Sequence, residues 1–169
     1  LFALNIIGLV VIFALGLYGY LFIEGVIPTH YDFAGNPDAY GSSQIFLIMI
    51  PTLSSAPVII ILISHYRYTL INKHPYLTNL PAFYMYIPKI PFEKRGYWVN
   101  KYFEAVLALG VFTTVEMIMI LWGIYIASIE EVLPNWFLPV TLLMSFIMIP
   151  PMIYYFYKLS LRMKKETIE

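Results

Sequence analysis

The side chains best able to do chemistry sit in two places. One is the stretch 24–43, which carries Glu24, His30, Tyr31, Asp32, Asn36 and Asp38. An imidazole among carboxylates is a donor set for zinc or a similar divalent ion, and carboxylates with carbonyls can hold calcium. His30, Asp32 and Asp38 are the metal candidates on that reading, although their spacing equals no known ligand motif. The plainer reading is structural: His30 and Asp32 hydrogen-bond the loop backbone and cap helix ends. A third is recognition of a peptide or another membrane protein by His30, Tyr31, Asp32, Asn36 and Asp38.

The second place is Glu116, a lone acid inside an apolar stretch. A carboxylate at mid-bilayer costs about 2.5–3.5 kcal/mol on insertion scales. Glu116 must therefore take up a proton or face Thr113, another polar group of the bundle, or water. It serves either as a proton- or cation-coupled site or as a neutral acid bonded between helices. Asn5, nearer the end of its own apolar run, reads as packing glue. The chain has no cysteine, which excludes disulfides and thiolate chemistry. It also lacks a Walker loop, an H-E-x-x-H pair, a nucleophile elbow and a dinucleotide fingerprint. No catalytic residue is assigned, and a non-enzymatic protein is the favoured expectation.

Elements that position these residues follow from composition and spacing. Apolar residues make up 60% of the 169 and charged residues 12%, against roughly 45–50% and 25% in soluble domains. A small globule buries only about two-thirds of the surface its chain exposes, so lipid must solvate part of this one. About 20 apolar residues cross a hydrocarbon core of roughly 30 Å. Four stretches meet that length, at about 1–23, 44–64, 105–127 and 136–157. The first is too long for a signal-peptide core and has no A-x-A cleavage site, so it reads as a retained helix. Because the chain opens on Leu1, residues are expected to precede it.

The expectation is thus an all-α, polytopic membrane protein, a single membrane domain over 1–169 with four transmembrane helices. An outer loop would occupy 24–43 and an inner interfacial loop 65–104. Lys and Arg are retained on the cytoplasmic side. All ten lie in 65–104 or after 157, and none in 24–43 or 128–135. Both termini are therefore expected in the cytoplasm, at the cell membrane. Tyr18, Tyr20, Trp136, Tyr154, Tyr155 and Tyr157 lie near span ends, where amphipathic rings favour the headgroup zone.

Pro51, Pro57, Pro139, Pro150 and Pro151 should bend their helices. Gly8, Gly16 and Gly19 share roughly one face of the first span and suit close helix contact. The stretch 80–92 is apolar but too short and proline-broken to span, so it should lie along the inner interface near anionic headgroups. Net charge is zero, with ten acidic and ten basic residues, which leaves no global field for nucleic acid. The lipid bilayer is the one certain partner, and a homo-oligomer is open.

The loop from 27 to 42 is rich in turn chemistry. Pro28 would fix the exit from the first helix, Asn36-Pro37-Asp38-Ala39 suits a tight turn, and Ser42 or Ser43 would cap the second. Ile27, Pro28, His30, Tyr31, Asp32, Gly35, Pro37 and Asp38 follow in order the pattern I-P-x-H-[FYW]-[ND]-x-x-G-x-[PA]-D. In this the segment resembles the signature of the domain-of-unknown-function 1648 family, which forms the N-terminal part of SdpI-like membrane proteins. A second stretch, Ile87-Pro88-Lys89-Ile90-Pro91, is similar to the P-K-x-D-P segment after the second helix there, with Pro91 in place and the Asp missing.

The resemblance implies an immunity or signalling role against a secreted killing peptide, exercised through the outer loop. Two alternatives stay open. One is a proton- or cation-coupled transporter or channel subunit using Glu116. The other is a membrane-embedded metal-dependent enzyme using His30 and nearby carboxylates.

Overall fold

A computed structural model describes residues 1–32, 34–78 and 81–168. Leu80, where the expected interfacial stretch begins, lies outside them. Helix α1 runs Phe2–Phe22 and is followed by a two-stranded antiparallel hairpin, β1 Val26–Tyr31 and β2 Pro37–Ser42. Then come α2 Ile45–His65, α3 Arg67–Lys73, a 3-10 turn Pro75–Thr78, α4 Pro81–Met85 and a second turn Ile87–Lys89. The long α5 covers Phe92–Glu130, and α6 Phe137–Ile147 and α7 Ile149–Glu166 complete the chain. Among the described residues, four helical segments are long and apolar enough to cross a membrane: α1, α2, α5 and the α6–α7 run.

Helices α1, α2 and α5 form the body of the bundle, packing on one another along their lengths. Their approach depends on small residues. A Cβ placed on Gly8 would lie 2.2 Å from Thr114 Cγ2, and one on Gly16 2.3 Å from Ile50 Cγ1. On Gly19 it would meet the Phe46 ring at 2.6 Å. The α1 glycines thus admit α5 at one level and α2 at two others. Asn5, fully buried, donates to Leu107 O of α5 at 3.0 Å. Outward-facing Ile7, Val10, Leu21, Phe22, Ile48 and Ile59 are exposed, as a lipid-facing surface should be.

The α6–α7 span is peripheral, and no residue of α6 is buried. It is pinned at its two ends. At one, Phe137 closes on Gly123, where a Cβ would sit 2.2 Å from the ring. At the other, Leu159 and Met163 enter a core with Trp98, Tyr102, Phe103 and Val106 of α5. Between the pins polar contacts join the helices, Ser145 Oγ to Glu116 Oε1 at 2.6 Å and Tyr155 OH to Lys101 O at 3.0 Å. The expected span 136–157 continues to Glu166 as one membrane-crossing segment, in which Met148, with αR backbone, joins α6 to α7 just before Pro150 and Pro151. Proline at the first turn of a helix lacks only an N–H that would have no partner there. Pro51 and Pro57, by contrast, are accommodated inside a continuous α2.

One expectation about 65–104 needs correction. Residues from Phe92 onward are not loop but the start of α5, whose 39 residues measure about 58 Å, nearly twice a hydrocarbon core. The proline-rich stretch also packs on protein. Ala82, Phe83, Ile87 and Ile90 are buried against α5 and α7, each large side chain contributing about 1.5–3 kcal/mol. Arg95 fastens the stretch by donating to Pro88 O and Ile90 O, both at 2.9 Å. Lys94 Nζ and Glu166 Oε1, 2.5 Å apart, join the start of α5 to the end of α7.

Candidate functional site

At the opposite end of the bundle the turn-rich outer loop takes the form of a two-stranded hairpin. Ile27 and Pro28 of β1 are buried, and Ile27 joins Ile12, Ile23, Phe46 and Leu121 in a second core. The hairpin is therefore rooted between the helices. Pro28 sits within the strand, not at the helix exit, which Ile23 makes in extended conformation.

The tight turn lies four residues earlier than its composition suggests, between Asp32 and Asn36. Asp32 Oδ1 accepts from the backbone N–H of Ala34 at 2.9 Å and of Asn36 at 2.8 Å. Asn36 Nδ2 donates to Asp32 Oδ2 at 3.3 Å, and Asp32 N donates to Asn36 O at 2.9 Å. Gly35, at φ +85°, takes the left-handed conformation that closes the reversal. Pro37 then opens β2, where a missing N–H is tolerated. These hydrogen bonds, led by that from the Asn36 N–H, hold the exposed Asp32 carboxyl below the usual carboxylate range. Neither Ser42 nor Ser43 caps α2 through its side chain; Ser43 O instead accepts from Phe46 N at 3.0 Å.

A bridge holds the hairpin tip to the rest of the molecule. Glu131, at φ 55°, turns the chain sharply as α5 ends. Leu133 N then donates to Gly35 O at 3.0 Å. Here a cleft of about 430 Å³ opens, lined by His30, Tyr31, Asp32, Asp38, Leu133 and Leu138. His30 Nδ1 lies 2.5 Å from Asp38 Oδ1, with the two side chains 70% and 49% exposed. So open a pair contributes little to stability and leaves its polar atoms reachable. Tyr31 differs: its hydroxyl oxygen is buried without a hydrogen-bond partner among the described residues. Burial, and then the neighbouring Tyr40, push its pKa up.

The sequence thus named four of the six lining residues, His30, Tyr31, Asp32 and Asp38. Asn36 belongs to the turn behind them, and Glu24 does not line the cleft. Leu133 and Leu138 were missed, and nothing in an ordinary apolar pair could have flagged them. Of the three metal candidates, His30 and Asp38 meet, but Asp32 is committed to the turn. Among the described residues no three His, Asp or Glu side chains gather where they could hold a metal ion.

Glu116 occupies the gap between the two pins of the fourth span. It is 8% exposed and borders a cleft of about 250 Å³ with Thr113, Met144, Ser145, Met148 and Met152. Its partner is Ser145 of α6, whose Oγ lies 2.6 Å from Glu116 Oε1 and 2.9 Å from Thr141 O. A hydroxyl carries one hydrogen. If Ser145 donates to Thr141 O, the contact with Glu116 requires a proton on the acid; if it donates to Glu116, the acid is free to ionise. Ser145 was detectable in the sequence only as a polar residue within an apolar span.

Comparison with known proteins places this architecture. Residues 7–54, which cover most of α1, the hairpin and the first half of α2, match the model of the Domain of unknown function (DUF1648). A protein of Archaeoglobus fulgidus described as "Uncharacterized protein" is 37% identical over 161 residues, 95% of this chain and 86% of that one. No protein of solved structure matches. The similarity runs through all four spans as well as the hairpin, and the chain belongs to the DUF1648 family.

Proposed function

We propose that this is a non-enzymatic, multi-pass protein of the SdpI-like class that meets an extracellular peptide or another membrane protein through the hairpin. The supporting observation is a contrast within the hairpin itself. Its root and tip are fixed, by Ile27 in the core and by the Leu133–Gly35 hydrogen bond. Its His30 and Asp38 side chains stay exposed beside a cleft with apolar Leu133 and Leu138. Polar groups held in place beside apolar surface can bind without first being ordered. The hairpin faces outward and both termini face the cytoplasm in this reading, because all ten Lys and Arg lie at the other end.

Cells making the chain should survive a secreted killing peptide better than cells without it. Substituting His30→Ala with Asp38→Ala should remove that gain at an unchanged membrane level. A photoreactive residue at Tyr40, 55% exposed, should give an adduct with the peptide. Unaltered survival with no adduct at Tyr40 would overturn the reading.

The Glu116–Ser145 pair favours a second reading, a proton- or cation-coupled transport subunit. A carboxyl group that meets a hydroxyl of the neighbouring helix beside a cleft in mid-span suits that task. In proteoliposomes, Glu116→Gln should reduce pH-driven cation flux to background, and Ser145→Ala should weaken it. Flux unchanged in Glu116→Gln removes this reading and leaves the acid a structural bond between α5 and α6.

A further inference from the structure

A second basic feature lies away from both the hairpin and Glu116. Where α5 and α7 leave the apolar zone, their facing sides enclose a cleft of about 280 Å³. Tyr97 and Lys101 line it from α5, with Tyr154, Tyr155, Lys158 and Arg162 from α7. Four-residue steps set both rows: 97 to 101 on one helix, 154 to 158 to 162 on the other, so each row shares a face. Trp98 and Leu159, both buried, form the floor. Tyr155 OH donates to Lys101 O at 3.0 Å and ties the walls together.

The rings hold the cations in place. Lys158 Nζ lies 4.6 Å from the Tyr154 ring centroid, and Lys101 Nζ 5.9 Å from that of Tyr97. Lys101 also bonds Glu104 at 2.8 Å. Three lining cations against that one carboxylate leave the cleft with two positive charges in excess. Arg162 has no carboxylate partner among the described residues. The cleft lies at the junction of apolar span and polar helix end, the depth of lipid headgroups. Aromatic rings favour that depth, and basic pockets between helices there receive anionic headgroups.

We infer that the α5–α7 cleft holds the phosphate-bearing headgroup of an anionic phospholipid, bound by Lys158 and Arg162 with Lys101 behind them. This rests on the membrane reading alone and is independent of which end faces the cytoplasm. A bound lipid would also brace the peripheral fourth span against α5.

The full chain, carried in nanodiscs and released into native mass spectrometry, provides the test. Wild type should retain phosphatidylglycerol and not phosphatidylcholine. Each basic side chain near an anionic surface contributes about fivefold, so Lys158→Gln with Arg162→Gln should weaken retention about 25-fold. Lys158→Arg with Arg162→Lys should keep it. A control with Lys73→Gln, Lys89→Gln and Lys164→Gln, all exposed elsewhere, should retain the lipid as wild type does. Unchanged melting in phosphatidylcholine nanodiscs would show that the double variant folds. Equal retention by wild type and the double variant would overturn the inference, as would equal retention of phosphatidylcholine. Inorganic phosphate that binds as tightly as the lipid would overturn the lipid assignment and leave an anion site.

Discussion

Gly8→Ala should destabilise the bundle by about 1–3 kcal/mol, the range for overpacking a close contact, although it adds one methyl group. The reason is local and rigid. The new Cβ would stand 2.2 Å from Thr114 Cγ2, and Thr114 cannot turn away freely. It is 2% exposed, and its Oγ1 donates to Gly110 O at 2.7 Å. Helix α1 would have to move off α5, loosening the Asn5–Leu107 bond one turn away.

Thr114→Ser removes the offending methyl and keeps the hydroxyl, so it should restore most of what Gly8→Ala loses. The two changes should couple by about 0.5–3 kcal/mol, as residues in direct contact do. Denaturation by sodium dodecyl sulfate in mixed micelles measures both. Additive losses would show that α1 and α5 do not meet at this point.

Asp32→Ala should dissolve the hairpin tip. It removes the acceptor of two backbone N–H bonds and the partner of the Asn36 amide. Amide exchange across Val26–Tyr31 and Pro37–Ser42 should then rise toward unprotected rates. The helices, which owe nothing to this turn, should keep theirs. Asp32→Asn keeps an oxygen acceptor and should preserve much of the protection.

The pH dependence has a definite sign. Folding lowers the Asp32 pKa from its ordinary 3.8, so the unfolded tip binds more protons in acid. The contribution is complete above about pH 4 and disappears as pH falls through the lowered folded value. Measured against the intrinsic exchange rate at each pH, acid should therefore lower protection in the wild-type tip and change it little in Asp32→Asn. Protection in Asp32→Ala equal to wild type would mean that the Gly35–Leu133 contact alone holds the tip.

The four spans were legible because hydrocarbon thickness sets helix length directly, and no partner need be known. The start of α5 was not. Phe92 to Glu104 mixes Glu93, Lys94, Arg95 and Lys101 with aromatics, and a hydropathy window averages away the face carrying Trp98, Val99 and Tyr102. The burial of Phe83, Ile87 and Ile90 against protein was not legible either: apolar total says how much must be buried, not whether lipid or protein buries it.

At the hairpin, turn residues marked a structured segment. Composition favoured Asn36-Pro37, while a single carboxylate aimed at two amides placed the turn at Asp32. Glu116 stood out by itself, yet Ser145 lies 29 residues away on a helix whose position depends on the pins at Gly123 and Met163. Such meetings depend on packing, which spacing along a chain does not encode.

All of the functional reading requires the hairpin and the basic end to lie across a bilayer from each other. The chain has no native cysteine, so single cysteines introduced at Tyr40 and at Lys89, both exposed, report on each end alone. In intact cells a membrane-impermeant maleimide should label Tyr40→Cys, and should reach Lys89→Cys only after permeabilisation. Labelling of both positions in intact cells, or of Lys89→Cys alone, would contradict the account.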